Sequence, residues 1–267
     1  MIRDITIGQY YAANSLIHRL DARLKVVAVM IYIISLFCIG SVATYGVAIA
    51  ALAAVVVASK VPLRFMLRGI QSIFVIIVLT GIINVFTNKT GTPLWGQDWY
   101  LITTGGLSMA GMIILRLIML IIASSLLTLT TTPIQLTDGI EYLLKPFGKI
   151  GVPYHEIAMM MTIALRFIPT LLDETDKIMK AQQARGADFE TGNLVHRAKA
   201  LVPILVPLFI SAFRRAEELA TAMEARCYRG GEHRTKLNRM AFGAIDYRAM
   251  AVCVAFLVVE VALSVLL

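Results

Sequence analysis

Residues 26–59 read VVAVMIYIISLFCIGSVATYGVAIAALAAVVVAS, a run of 34 residues without a charged side chain. As one α-helix this run would measure about 51 Å, well beyond the roughly 30 Å hydrocarbon core of a bilayer. It therefore predicts two closely connected membrane spans that turn near Gly40 and Ser41. The whole chain agrees with a membrane protein, because 58% of its 267 residues are hydrophobic, more than is usual in soluble domains.

Three further apolar runs are each long enough to cross the bilayer once. Residues 69–88 carry no charge, residues 106–129 are interrupted only by Arg116, and residues 249–267 only by Glu260. The chain is therefore predicted to be an all-α, polytopic membrane protein with about five transmembrane helices.

Residues 131–248 differ sharply from these runs, because they hold 16 of the 25 Lys and Arg residues and 13 of the 17 acidic residues. A segment this charged does not lie in lipid. We therefore predict three regions: residues 1–130 with the first four spans, a cytoplasmic region at 131–248, and a last span at 249–267.

The positive charges of the short loops predict the orientation of the spans. Basic residues crowd the segment before the first span and the loop between the second and third spans, whereas only Lys89 lies between the third and fourth. The N-terminus and residues 131–248 are thus expected inside the cell, with residues 89–105 outside. The net charge of +8 is then a signal of topology and not of nucleic-acid binding.

The charged region opens with a helix-start signature, in which Thr132 and Gln135 can form a capping box around Pro133. This signature predicts a short helix to about Leu144. A second start near Pro153 predicts a helix of roughly 30 residues that is bent at one proline.

That second helix and a third one end on similar tripeptides, Ala184-Arg185-Gly186 and Ala225-Arg226-Cys227. Gly186 suits the left-handed position that often ends a helix. Each arginine has two interpretations. It could neutralise the negative end of its own helix dipole, or its planar fork of donors could bind a carboxylate of a partner protein. The spacing alone leaves both open.

Apolar side chains follow both long helices. Met159, Met160 and Met161 are consecutive, and the third helix carries a stripe that recurs at spacings of three and four. The members of this stripe are Phe209, Phe213, Ala216, Ala220 and Met223. Methionines adapt to varied partners, although they also fill ordinary cores or face lipid.

These features together resemble the transmembrane T component of energy-coupling factor (ECF) transporters, the EcfT/CbiQ-like family of vitamin and metal-ion importers. The resemblance rests on DITIGQYY at residues 4–11, IHRLDARLK at 17–25, Thr131-Thr132-Pro133 and the two arginine tripeptides. The octapeptide is most similar to the shared form of the module, which serves several substrate-binding subunits.

The resemblance implies a division of labour within a complex. In the family, each arginine motif docks one ABC ATPase subunit, a role that falls by position on Ala184, Arg185 and Gly186 and on the tripeptide at 225–227. The long helices, with Met159, Met160, Phe209, Phe213 and Met223, would contact a membrane-embedded substrate-binding S component. The chain itself would need no cofactor and no metal, because ATP is bound by its partners. Cys227 stands where the family has glycine, which leaves open a further helical turn toward Gly230.

Two other classes of membrane protein are alternatives. An integral membrane enzyme needs catalytic clusters within its spans, which offer only Arg116 and Glu260 as charges. These two could pair with each other in a structural role. A stand-alone secondary transporter favours inverted repeats, and five spans with one large charged insertion do not divide that way.

Overall fold

The structure is a computed structural model that describes residues 10–38, 42–95, 102–187, 189, 193–230 and 241–266. The chain divides into two compact units. The large unit contains the described residues of 8–139 and 240–267, and the small unit contains those of 140–239.

The large unit is built from apolar helices. Its long helices are α1 (Ala22–Cys38), α2 (Val42–Ser59), α3 (Leu63–Thr87), α4 (Thr104–Thr130) and α8 (Ala244–Leu266). Strands β1 (Pro93–Trp95) and β2 (Ile102–Thr103) form a small antiparallel pair between α3 and α4. The predicted all-α, polytopic membrane fold is confirmed, and the turn predicted at Gly40 and Ser41 lies outside the described residues.

Four helices in the described part of the chain are long and apolar enough to cross a membrane, namely Leu63–Thr87, Thr104–Thr130, Tyr154–Ala184 and Ala244–Ser264. A shorter apolar segment is Ala43–Ser59. This set differs from the five predicted spans in two places. It omits α1, which has 17 residues and begins with Arg23 and Lys25. It includes Tyr154–Ala184, because the first half of that helix is strongly apolar. The sequence had instead predicted that this helix lies in the cytoplasm.

Glycines allow α3 and α4 to pack closely. A Cβ added at Gly69 would lie 2.8 Å from Ser125 Oγ, and one added at Gly81 would lie 2.7 Å from Ile114 Cδ1. The two helices therefore run antiparallel, with their contact set by small residues, as is common between membrane helices.

Aspartates fix the beginnings of α1 and α8 to each other. Asp21 Oδ1 accepts from the backbone N–H of Arg23 and so caps the start of α1. The Asp246 carboxylate accepts from the backbone N–H groups of Asp21 and Gly243 at 2.9 and 2.8 Å. One buried carboxylate thus satisfies donors at both helix starts.

Arg116 and Glu260 do not form the ion pair that the sequence left open. The Arg116 guanidinium lies over the rings of Phe37 and Tyr45, 5.8 and 5.9 Å from their centroids. Glu260 is only 3% exposed, and no described residue lies within salt-bridge distance of its carboxylate. Cation–π attraction to these two rings therefore helps to hold the Arg116 guanidinium.

His18 holds the segment before α1 through both ring nitrogens. Nε2 lies 2.9 Å from the Tyr11 carbonyl oxygen, which can only accept, so Nε2 carries the proton and Nδ1 accepts from Ser15 Oγ at 2.7 Å. Burial lowers the pKa of His18. The hydrogen bond to Tyr11 raises this pKa and the charge of Lys25 lowers it, and the net shift is downward. The neutral ring is thus the form that the fold binds.

We therefore expect the segment before α1 to loosen in acid. Because the folded pKa of His18 lies below its ordinary value of 6.5, its stabilising contribution is present above that pH and is lost as the pH falls through the lowered pKa. Amide hydrogen exchange over residues 11–20 should speed up several-fold on acidification, beyond the intrinsic pH effect. A His18→Gln variant should lose this dependence, and identical profiles for the two proteins would contradict the assignment.

The small unit contains the two longest helices, and a capping box marks the approach to it along the chain. The capping box predicted at the start of α5 (Pro133–Leu144) is present. The backbone N–H of Thr132 donates to Gln135 Oε1, and the backbone N–H of Gln135 donates to Thr132 Oγ1, both at 3.3 Å. A 3₁₀ segment, Lys145–Ile150, follows. Then come α6 (Tyr154–Ala184) and α7 (Leu194–Ala225).

Prolines lie inside both long helices of the small unit. Helix α6 has the predicted length and contains Pro169. Helix α7 begins at Leu194, so Pro203 and Pro207 lie inside it. Pro207 has no N–H for the carbonyl of Pro203 four residues earlier. Gln182 Nε2 donates to that carbonyl at 3.5 Å, which partly satisfies it.

Candidate functional site

Helices α6 and α7 pack against each other as an antiparallel pair. The contacts run in opposite directions along the two helices, since Gln182 meets Pro203 while Glu174 meets Ser211 and Arg215. The C-terminal ends of α6 and α7 therefore lie at opposite ends of the helix pair.

A polar cluster joins the middle of this pair. The Glu174 carboxylate accepts from Ser211 Oγ through one oxygen and from Arg215 Nη2 through the other, at 2.5 and 3.2 Å. Both side chains of the ion pair are partly exposed, so the pair contributes little net stability. Its value lies in orientation, because a bond on each carboxylate oxygen fixes the rotation of the two helices about each other.

An apolar cavity of about 280 Å³ lies beside this cluster, between the two helices. Phe167 and Leu171 of α6 line one wall, and Ala216, Leu219 and Met223 of α7 line the other. The packing of the two helices is therefore looser beside the polar cluster than at it.

The end of α6 carries a Schellman cap. The N–H of Gly186 donates to the carbonyl of Gln183, and the N–H of Ala187 donates to that of Gln182, at 2.9 and 3.0 Å. Gly186 has φ of +87°, which confirms the left-handed position predicted for it.

The end of α7 repeats this cap residue for residue. The N–H of Cys227 donates to the carbonyl of Glu224, and the N–H of Tyr228 donates to that of Met223, at 2.8 and 3.1 Å. Cys227 has φ of +55°, so the helix ends at Ala225 and the further turn toward Gly230 does not form.

Both arginines occupy the same position in these caps, directly before the left-handed residue. Arg185 and Arg226 are exposed, and neither guanidinium makes a hydrogen bond or ion pair with any residue that the structure describes. Backbone N–H groups satisfy carbonyls at each helix end, so capping does not need the arginine side chains. Their five-donor forks are directed to solvent and are open to a carboxylate of another protein.

The two tips are well separated. Gln182, near the end of α6, lies opposite Pro203 of α7, and Arg226 follows Pro203 by 23 residues. At 1.5 Å per residue the two tips are therefore about 35 Å apart along the helix pair. Two globular subunits could therefore bind the tips side by side.

The predicted apolar stripe of α7 divides into two faces. Phe209 and Phe213 are 62% and 72% exposed, with stacked rings 6.5 Å apart. Ala216, Ala220 and Met223 instead face α6 and line the cavity. Met223 is therefore placed within the helix pair, whereas the two phenylalanines remain open to a partner.

On α6, Met160 is 58% exposed while Met159 is half-buried. Glu174, Ser211 and Arg215 were not predicted from the sequence as a set. Their separation of 37 and 41 residues carries no local signal, and only the register of the helix pair brings them together.

Comparison with known proteins identifies the family of this chain. A family model described as "Cobalt transport protein" (CbiQ) matches residues 13–237. The "Energy-coupling factor transporter transmembrane protein EcfT" of Ruminiclostridium cellulolyticum is 54% identical over 257 residues, covering 96% of each chain. The chain belongs to the EcfT family.

Other EcfT proteins are similarly related over nearly their whole length. That of Clostridium kluyveri is 54% identical over 263 residues, covering 96% of this chain and 97% of the relative. That of Bacillus subtilis is 46% identical over 246 residues, covering 92% and 93%. The predicted family resemblance is confirmed, and the chain is a membrane component of an energy-coupling transporter.

In this EcfT-family chain, Cys227 holds a backbone conformation that favours glycine. A residue with a Cβ in the left-handed region costs about 1 kcal/mol relative to glycine. Cys227 is exposed, so no packing would be lost by removing its side chain.

We therefore expect Cys227→Gly to strengthen the α7 cap. A gain of about 1 kcal/mol corresponds to roughly fivefold slower amide exchange at Cys227 and Tyr228 where exchange requires opening of the cap. Cys227→Ala is the matched control, because it removes the thiol but retains the Cβ. Equal protection in the two variants would contradict a conformational cause.

Proposed function

We propose that the chain couples ATP hydrolysis by two ABC ATPase subunits to movement of a membrane-embedded S component, which selects a vitamin or another micronutrient. It acts as a scaffold and catalyses no reaction of its own. The observation that carries the proposal is the pair of exposed arginines in identical caps at opposite ends of an antiparallel helix pair.

The arginine tips are the proposed ATPase-docking sites. Each presents Ala, Arg and a small left-handed residue, so the guanidinium stands on a narrow backbone that can enter a groove. A carboxylate in that groove would bind two donors of the fork at once. Burial of such a pair at the centre of an interface makes it a dominant contact.

The helix pair would convert the motion of the ATPases into motion at the S component. When the two ATPases close on ATP, the tips that they hold move relative to each other. The Glu174–Ser211–Arg215 cluster keeps the helices joined, and the neighbouring cavity lets their angle change. Exposed Phe209 and Phe213 would carry the movement to the S component, together with Met160.

This function requires the chain to lie in the cell membrane with its N-terminus and the small unit on the cytoplasmic side. Supporting this orientation, basic residues concentrate in the loops on that side. ATP is then available to the partners at the tips.

Co-purification tests the proposal. Tagged chain extracted from its native membrane should retain two ATPase subunits and at least one small membrane protein, and ATP hydrolysis should require the ATPases. A tag on residues 89–105 should be accessible only from outside. Recovery of the chain without ATPases from gently solubilised membranes, or accessibility of Arg185 from the outside, would refute the proposed coupling.

A further inference from the structure

Three basic side chains form a cluster where α2 joins α3 in the large unit. Lys60, Arg64 and Arg68 follow one another at a spacing of four residues, which places the two arginines one turn apart on one face of α3. All three are exposed, and none forms an ion pair or a side-chain hydrogen bond with any residue that the structure describes. This basic cluster therefore carries positive charge that is free to attract an anion.

Acidic residues of the chain do not neutralise the basic cluster. No aspartate or glutamate occurs in the sequence between Asp21 and Asp98. Asp21 and Asp246, at the starts of α1 and α8, accept hydrogen bonds from the backbone of those helix starts. Any counter-charge in contact with the cluster therefore comes from outside the described part of the chain.

The fold holds the basic cluster on its surface. Val61 and Met66 alternate with the basic residues and are buried against α4, at 5% and 1% exposure. The Arg68 guanidinium lies over the ring of Phe65, 5.3 Å from its centroid. The segment is thus fixed to the bundle by its apolar side chains, and one of the two guanidiniums is already held in place by an aromatic face.

The basic cluster lies at the edge of the apolar layer. Residues 69–87 of α3 carry no charge and measure about 29 Å at 1.5 Å per residue, close to the thickness of the hydrocarbon core. Arg68 thus lies at one boundary of the core, and Arg64 lies about 6 Å farther out. Because the polar layer on each side of a bilayer is about 5–8 Å thick, both guanidiniums reach the level of the lipid phosphates.

Apolar residues within the same segment decide which anion fits. Leu63 and Leu67 flank Arg64 and Arg68 in the sequence and are 60% and 54% exposed. A soluble anion would leave these leucines in contact with water. A phospholipid instead joins its phosphate directly to acyl chains, so one molecule satisfies the positive charge and covers the apolar surface. Arginine also matches the geometry of phosphate, because its planar fork donates two hydrogen bonds at once.

We propose that the basic cluster binds the headgroup of an anionic phospholipid of the phosphatidylglycerol type. Arg64 and Arg68 bind its phosphate, Lys60 adds positive charge on the outer side, and Leu63 and Leu67 contact its acyl chains. The bound lipid fixes the α2–α3 turn at the boundary of the bilayer. This site shares no residue with the arginine tips and does not rest on the proposed coupling to ATPases.

Quenching of a tryptophan by brominated lipids tests the site. In the full chain Trp95 and Trp99 are replaced by phenylalanine, and Leu67→Trp places a single tryptophan beside the cluster. The protein is reconstituted in mixed vesicles of phosphatidylcholine and phosphatidylglycerol, in which one lipid or the other carries bromine in its acyl chains. Both leaflets have the same composition, so the orientation of the chain does not affect the result.

We expect phosphatidylglycerol to bind beside the tryptophan at least about fivefold more strongly than phosphatidylcholine, the effect of a single basic residue near an anionic surface. This preference should fall in 1 M salt, because exposed charges are screened over a few ångströms there. A ratio near 1, or a preference that salt leaves unchanged, would overturn the proposal without the need for any change in the cluster.

Charge-matched variants separate the cluster from the net charge of the chain. The preference should disappear when the cluster is neutralised by Lys60→Gln, Arg64→Gln and Arg68→Gln. It should persist in a control that loses three exposed basic residues elsewhere, by Arg19→Gln, Lys145→Gln and Lys149→Gln. Equal preference in the two variants would contradict the site. So would loss of the preference when the complete transporter assembles, since an acidic surface of a partner protein would then be the occupant.

Discussion

Reversing the charge of both Arg185 and Arg226 is expected to abolish substrate uptake while the chain remains inserted in the membrane. Each guanidinium is exposed and its helix is already capped by backbone bonds, so neither is needed for folding. A buried arginine anchor typically contributes at least about 2 kcal/mol to an interface. Glutamate at the same place would additionally repel the carboxylate that we propose in the ATPase groove.

The single variants should show graded effects. Arg185→Glu or Arg226→Glu should weaken binding of ATPase subunits by about thirtyfold or more, from the energy of one lost anchor. Pull-down of the ATPases and uptake of radiolabelled substrate are the measurements. Membrane insertion is followed separately by fractionation and protease accessibility.

Lys180→Glu and Arg214→Glu are the matched controls for this experiment. Both side chains are exposed and basic, one on each helix, and neither lies in a terminal cap. Each should retain nearly full uptake. If the double tip variant transported as well as these controls, the docking role of the arginines would have to be abandoned.

Placing a charge on the exposed phenylalanine pair should detach the S component. Phe209 and Phe213 expose 62% and 72% of their surface and stack on each other, an arrangement suited to burial against another protein. Burial of one such ring contributes roughly 1.5–3 kcal/mol. Phe209→Asp with Phe213→Asp should therefore reduce association of the S component by about a hundredfold or more.

Co-purification distinguishes the role of the phenylalanine pair from that of the arginine tips. The ATPases should still co-purify with the double aspartate variant, whereas the small membrane partner should be lost and uptake should stop. Ile150→Asp is the control, because Ile150 is 80% exposed but lies in the 3₁₀ segment outside both long helices. An S component that stays bound to the double variant would show that these rings face lipid instead.

Local signals in the sequence were sufficient for much of the fold. Charge-free runs predicted the apolar helices α1 to α4 and α8, because a bilayer core tolerates few charges over its whole thickness. The capping box at Thr132 and the glycine at 186 predicted helix ends, since each satisfies specific backbone groups. These features depend on neighbours within a few residues of each other.

Other features depended on which face of α7 meets α6. Met223 belongs to the same stripe as Phe213 by spacing, yet one lines the cavity and the other is exposed. The Glu174 cluster likewise requires the register of the pair. Cys227 gave no signal of a left-handed conformation, because cysteine has no preference for it and the neighbouring backbone bonds impose it.

The matching caps at the two tips have a consequence for the ATPase subunits that we propose to bind there. Identical backbone bonding around each arginine makes the two tips pseudo-equivalent, so a receptor shaped for one would accept the other. Two identical ATPase subunits could thus bind the tips as readily as two subunits of different sequence. Any preference between tips would have to come from residues farther along each helix.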